Sequence, residues 1–220
     1  MGATAEYEFD RSGGRLCLDF ANTVSERPTA PKDRLQRYAD LVAWARQAGL
    51  LDRSRARELE RQASRRPAAA EAVLQRARAL RETLYRLLSA AAAGRTAPDS
   101  LLALNAVLPA ALSHRRLVAG PAGFRWEWQR LPGGLDAMLW PVAHSAAELL
   151  ASEERAALRE CAADTCGWLF LDHSRNHSRR WCDMKVCGNR VKARRHYART
   201  RRGARGGAKR GLIPRERKTP

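Results

Sequence analysis

The sequence predicts an α+β protein: a mainly helical N-terminal domain with a small β-hairpin, followed by a treble-clef-like zinc finger built on four cysteines. Three observations carry that expectation. Apolar residues recur at helical spacing through much of residues 16–151. The helical habit breaks at Arg116–Trp128, where Phe124, Trp126 and Trp128 share one face at the period of a strand. Four of the five cysteines then stand as C-x4-C, fifteen residues, C-x4-C, at Cys161, Cys166, Cys182 and Cys187.

The elements follow in order. Residues 1–14 are polar and end in Ser12-Gly13-Gly14, so little order is expected in the first few. Leu16, Phe20 and Val24 recur every four residues and mark one helical face, beside which Cys17 reads as a small core residue. Asp19 and Asn22 lie near that face, as parts of a ligand pocket or as local hydrogen-bonding groups. Glu26–Pro31 reads as a linker by its two prolines. Tyr38, Leu41, Val42, Ala45 and Ala48 predict a helix stopped at Gly49, and Asp52 opens the next, whose alternating Arg and Glu describe a solvated face. The longest helix is expected from Ala68 to Ala93, with Gly94 as its stop. Another starts at Pro98 and runs through Leu101, Leu104, Leu108 and Leu112.

After the hairpin, a helix from about Leu135 to Ala151 carries Leu139, Trp140, Val142, Ala146 and Leu149. Trp126, Trp128, Trp140 and His144 are candidates for lining a small-molecule cavity, with plain core packing as the alternative. Together with Asp19 and Asn22 they make up the candidate ligand-binding set.

The cysteine spacing points to one structural Zn²⁺ held by Cys161, Cys166, Cys182 and Cys187. Each x4 loop is short enough to turn two thiolates toward a common centre, and the segment between the pairs is long enough to fold back once. That segment predicts a hairpin, with Trp168–Leu171 as one strand, a turn over Asp172–Ser178 and a return strand at Arg179-Arg180-Trp181. A helix opened by Gly188-Asn189 should follow. Disulfides would need an oxidising compartment, and Met1–Glu6 lacks a secretory signal, so a cytoplasmic location is expected. A redox dithiol has x2 spacing instead.

A chain of 220 residues, 45% hydrophobic with six tryptophans, is long enough for one good core plus a small module. No stretch approaches about 18 uninterrupted apolar residues, so no membrane span is expected. From His173 onward, 17 Lys and Arg stand against Asp183 and Glu216, and nearly all of the net charge of +18 lies there. One-ended charge of this kind favours a polyanion, of which DNA is the expected partner. The candidate contacts are Arg179, Arg180, Arg190, Lys192, Arg194, Arg195 and Arg199, with Lys192, Arg195 and Arg199 as the preferred face. Asn189 and Arg190 either read base edges or serve the fold, Asn189 as a cap and Arg190 as a brace through Asp172.

The run C-x4-C-GWLFLD, then SRRWC-x4-CGNR and KARRHYAR, resembles the CGNR zinc finger, named for Cys187-Gly188-Asn189-Arg190. The stretches LCLDFANTV (16–24), LVAWARQAGLL (41–51) and LWPVAHSAAELL (139–150) resemble the ABATE domain that precedes this finger in its family. The resemblance covers most of residues 8–202. It implies an ABATE-like domain over 1–152 and a finger over 153–202, and the sharp change past Arg202 to a Gly- and Arg-rich composition reads as a flexible basic tail over 203–220. The resemblance also implies a stress-responsive transcription regulator with a DNA-binding finger and a small-molecule effector domain. A homodimer would suit a symmetric duplex site.

Two other functions stay open at this stage. HNH nucleases also set two cysteine pairs around a hairpin, and Asp172-His173, Asn189 and His196 imitate their order, although the loop lengths depart from that pattern. His173 or His177 would otherwise be a turn residue or a substitute metal ligand. The third reading is a protein-interaction adaptor whose finger binds a partner protein.

Overall fold

A computed structural model describes residues 7–121, 123–128 and 134–207, without the side chains of Arg195 and residues 201–207. The chain divides into two compact units, Met1–Cys182 and Asp183–Pro220.

The first unit runs α1 (Leu16–Ala21), β1 (Val24–Ser25), β2 (Lys32–Asp33), α2 (Tyr38–Gln47), α3 (Arg53–Arg65), α4 (Pro67–Ala92), α5 (Pro98–Leu112), β3 (Arg115–Gly120), β4 (Gly123–Trp128) and α6 (Leu139–Ala151). A 3-10 turn at Glu153–Ala157 then leads to β5 (Leu158–Glu160) and β6 (Leu169–Leu171). Its strands form three separate antiparallel pairs, β1 with β2, β3 with β4 and β5 with β6. No described helix is long and apolar enough to cross a membrane.

Local chemistry sets the helix limits. The Asp52 carboxylate accepts from the Arg55 amide at 2.7 Å and caps α3. Pro67 opens α4, and Gly94, at φ +67°, closes it while the Arg95 amide donates to Ala90 O at 2.8 Å. Helix α4 runs through the middle of the core. Its Leu74, Leu84 and Leu88 are fully buried with Leu18 and Phe20 of α1, Leu41 and Trp44 of α2, and Val142, Ala146 and Leu149 of α6. Burying each large apolar side chain contributes about 1.5–3 kcal/mol, so this cluster dominates the stability of the unit.

Four expectations need correction. Val24 does not continue the first helix, because α1 stops at Asn22 and the Thr23 hydroxyl turns back to Phe20 O at 2.8 Å. Glu26–Pro31, expected as a linker, is the loop of the β1–β2 hairpin. Arg81 of α4 locks that hairpin, donating to both carboxylate oxygens of Asp33 at 2.6 and 2.8 Å. In α5 the buried positions are Ser100, Leu104 and Ala111, while Leu101 and Leu112 are exposed. Leucines lie on several faces of that helix, so periodicity alone could not choose among them. The fourth correction concerns β6, which pairs with β5 (Leu158↔Leu171, Glu160↔Leu169) and not with Arg179–Trp181. The backbone of that later segment is already engaged: Arg180 O accepts from Ala162 N at 2.8 Å, and Arg179 N donates to Asp172 Oδ2 at 2.9 Å.

The second unit consists of a π-helical turn, Met184–Gly188, and α7 (Asn189–Gly207). Helix α7 thus extends five residues into the stretch expected to be a tail. The rest of that stretch, 208–220, lies outside the described residues, as do the first six residues.

Candidate metal centre

The first cysteine loop is shaped by backbone bonds on both sides. Cys161 N donates to Trp168 O at 2.8 Å and Cys166 N to Ala163 O at 2.9 Å, which folds the x4 segment into a tight turn. Gly167 leaves that turn at φ +73°, a conformation that favours glycine. A Cβ there would stand 3.1 Å from the Tyr85 hydroxyl and 3.2 Å from Arg27 Cβ. The second loop is closed by Asp183, whose carboxylate accepts from Val186 N at 2.7 Å and whose carbonyl accepts from Cys187 N at 3.0 Å. An Asp directly after Cys182 and three residues ahead of the amide it caps is a sequence signal for this turn that spacing of the cysteines alone does not use.

All four cysteines are buried, and their sulfurs lie within 4.8 Å of one another. Tetrahedral Zn²⁺ with Zn–S bonds of about 2.3 Å sets its sulfurs about 3.8 Å apart. The Cys166 and Cys182 sulfurs are 3.6 Å apart, so the donor set fits that ion. The Cys182 amide also points at Cys161 Sγ from 3.4 Å, a contact that favours a thiolate. Cys161 accepts from the Cys166 and Cys182 thiols, which draws its pKa down to about 2. Sharing with Cys161 pushes Cys166 up to about 12 and Cys182 higher still. The cluster therefore resists forming several thiolates by itself, and a dication removes that penalty. The four cysteines make one structural zinc site.

The ABATE family, described as "Putative stress-induced transcription regulator", matches residues 14–153. The chain belongs to the ABATE family. The CGNR zinc finger matches residues 157–200, which contain all four zinc ligands. No curated protein matches the chain. Neither family is one of enzymes.

In this ABATE protein the first half of the finger is built into the helical body. Leu158, Leu169 and Leu171 belong to the main core cluster. The Tyr85 and Ser89 hydroxyls of α4 donate to the Glu160 carboxylate at 3.0 and 2.5 Å, and the Trp168 indole donates to Val24 O at 3.2 Å. Sequence reasoning missed these bonds, which join residues more than seventy positions apart.

Among the expected nucleic-acid contacts, Arg179 is half-buried and engaged. Its guanidinium donates to Trp181 O at 3.0 Å and to Cys182 O, and lies 4.5 Å over the Phe170 ring. Arg180 is exposed beside the Trp181 ring. On α7, Arg190, Lys192, Arg194 and Arg199 are exposed, and the Arg195 side chain lies outside the described residues. Asn189 is the first residue of α7 and is exposed.

Asp172 is buried, and its carboxylate accepts from the Ser174 hydroxyl at 2.5 Å, Ser174 N at 2.9 Å and Arg179 N at 2.9 Å. These donors, the Ser174 hydroxyl first, hold its carboxyl below the usual range. His173 stands 3.3 Å from Glu154, and His177 Nδ1 lies 3.0 Å from Asp172 O. The Asp172 oxygens thus close the 172–179 loop.

The six ligand-binding candidates do not converge on one place. Asn22 is buried with both ends of its amide bonded to the Leu169 peptide, and Asp19 accepts from Gly13 N at 2.9 Å. Burial pushes the Asp19 carboxyl up to about 6 against the pull of the Gly13 amide. Trp126 is exposed. Trp128 and Trp140 do line one cavity of about 220 Å³ with Leu50, Leu51 and Met138. His144 packs edge-on to Trp128 and pairs with Glu148 at 3.3 Å, while burial and the Arg115 guanidinium hold its pKa below the ordinary value. Arg115 reaches 5.0 and 5.5 Å from the Trp126 and Trp128 rings, a contact that no local motif announces.

Proposed function

We propose that this ABATE protein is a zinc-dependent DNA-binding transcription regulator, with DNA held by the finger and a small effector sensed by the helical domain. The observation that supports it best is the composition of α7. Nineteen residues from Asn189 to Gly207 contain no acidic side chain, and Lys192, Arg194 and Arg199 are exposed along it. A helix of that length is about 28 Å long and can span several phosphates of a duplex. The zinc ligand Cys187 lies two residues before α7, so the ion orders the turn from which the basic helix starts.

The test is duplex binding by the zinc-loaded chain as a function of salt. Five phosphate contacts predict a slope of log affinity against log salt of roughly −4.5. Absence of any duplex binding at low salt would favour the adaptor. Metal-dependent strand cleavage lost in His173→Ala would favour a nuclease, a reading disfavoured by the engagement of Asp172 within its own loop.

A further inference from the structure

Helices α4, α5 and α6 leave between them an open groove of about 710 Å³, within the range of small-ligand sites. Its walls are aliphatic, including Leu87 and Ala91 of α4, Leu104 and Leu108 of α5, and Ala147 and Leu150 of α6, with no aromatic ring among them. Leu101 lines the same groove and is 45% exposed, so apolar surface stands in water there.

The rim carries positive groups without partners. Arg95 and Arg155 both line the groove, and neither guanidinium forms an ion pair or hydrogen bond among the described residues. Ala97, at the start of α5, also lines it and offers no side-chain acceptor to the first-turn amides. Two of the carbonyls near the adjoining helix ends are already met. Ala90 O at the end of α4 accepts from Arg95 N at 2.8 Å, and Leu149 O near the end of α6 accepts from the Ser152 hydroxyl at 3.0 Å. Asp99 is the one carboxylate in the first turn of α5.

From this pairing of an aliphatic trough with unpaired guanidiniums, we propose that the groove binds a medium-length straight-chain carboxylate. The tail would lie against the leucines, and the head would meet Arg95, Arg155 and the start of α5. A neutral alkane would leave the arginines unused, and a polyanion such as a nucleotide would leave the aliphatic walls unused. The site names a ligand class for the sensing role proposed above and rests on that reading only for its regulatory consequence.

The test is calorimetric titration of the full zinc-loaded chain with saturated carboxylates from hexanoate to dodecanoate, and with the matching primary alcohols. One carboxylate per chain is expected. Affinity should rise about three- to fourfold per methylene until the groove is filled. The alcohols should bind at least tenfold more weakly. The double change Arg95→Gln with Arg155→Gln should erase the difference between acid and alcohol, and Ala147→Phe should block both by filling the trough. Leu101→Glu, at an exposed position, repels the head and provides the same answer if Ala147→Phe does not fold. Absence of binding, equal binding of acid and alcohol, or binding unchanged in all variants would overturn the proposal. So would a dimer in sedimentation that Leu101→Glu disperses without any carboxylate uptake, which would assign the groove to a second copy. Duplex affinity measured in parallel keeps the two readings apart. A chain that takes up carboxylate but never binds DNA upholds the groove and removes the regulator.

Discussion

The side-chain amide of Asn22 and the peptide group of Leu169 exchange two hydrogen bonds, Nδ2 to Leu169 O at 2.8 Å and Leu169 N to Oδ1 at 2.9 Å, across 147 residues of sequence. Asn22 thereby acts as an extra strand partner on β6, the strand that follows the zinc ligands Cys161 and Cys166. Asn22→Ala would leave a buried peptide unpaired at both ends, at about 1–3 kcal/mol for each group. Urea unfolding should show a loss of about 2–4 kcal/mol. An unchanged midpoint would return Asn22 to the ligand-binding set.

Asp19 gives the stability a dependence on pH. Its folded pKa of about 6 lies above the unfolded value of about 3.9, so the folded state binds more protons between those values. Its contribution to stability falls as pH rises through about 4 to 6 and is level above that. Asn at this position keeps an acceptor for Gly13 N without the buried charge. Asp19→Asn should be more stable than the parent at pH 7, and the difference should vanish near pH 4.

Arg81 works in the opposite direction at more acid pH. Burial pushes the Asp33 carboxyl up, but the Arg81 hydrogen bonds outweigh it and leave the pKa below the ordinary value. The stabilisation is therefore full above the unfolded value and is lost as pH falls through the folded one. Arg81 is buried, while Asp33 is partly exposed and keeps Arg78 at 3.5 Å, so Arg81→Met should lower the thermal midpoint at neutral pH and do so less near pH 2.

Arg179 and Arg180 are neighbours with different tasks. Arg179 donates to carbonyls at Trp181 and Cys182, so Arg179→Ala should weaken zinc affinity by about tenfold or more, read by competition with a chelating dye. Arg180→Ala should leave zinc affinity unchanged while lowering duplex affinity and reducing the salt slope by about one.

Gly167→Ala tests how closely the first cysteine loop sits on the body. Its positive φ and the contacts with Tyr85 and Arg27 together predict a loss of about 1–3 kcal/mol in urea unfolding.

What could be read from the chain was local. The zinc ligands declare themselves because two x4 loops need only short-range geometry, and the limits of α2 and α4 are written in Gly49 and Gly94, both at positive φ. The strand partner of β6 is not legible in the sequence, because pairing with Leu158–Glu160 or with Arg179–Trp181 depends on which backbone groups other contacts have already taken. Asn22 looked like a candidate for ligand chemistry for the same reason, since a polar residue near an apolar face does not reveal a peptide partner 147 positions away. The exposed face of α5 is not marked in the sequence, because its leucines satisfy more than one helical phase. The groove that follows from it is visible only once α4 and α6 stand beside it.

Zinc content and duplex affinity measured on one preparation, before and after removal of metal by a chelator, test the central claim most directly. The account predicts about one zinc per chain and loss of duplex binding together with the ion, both restored when zinc is returned. A chain that binds duplex with the same affinity and salt slope after the metal is gone would contradict it.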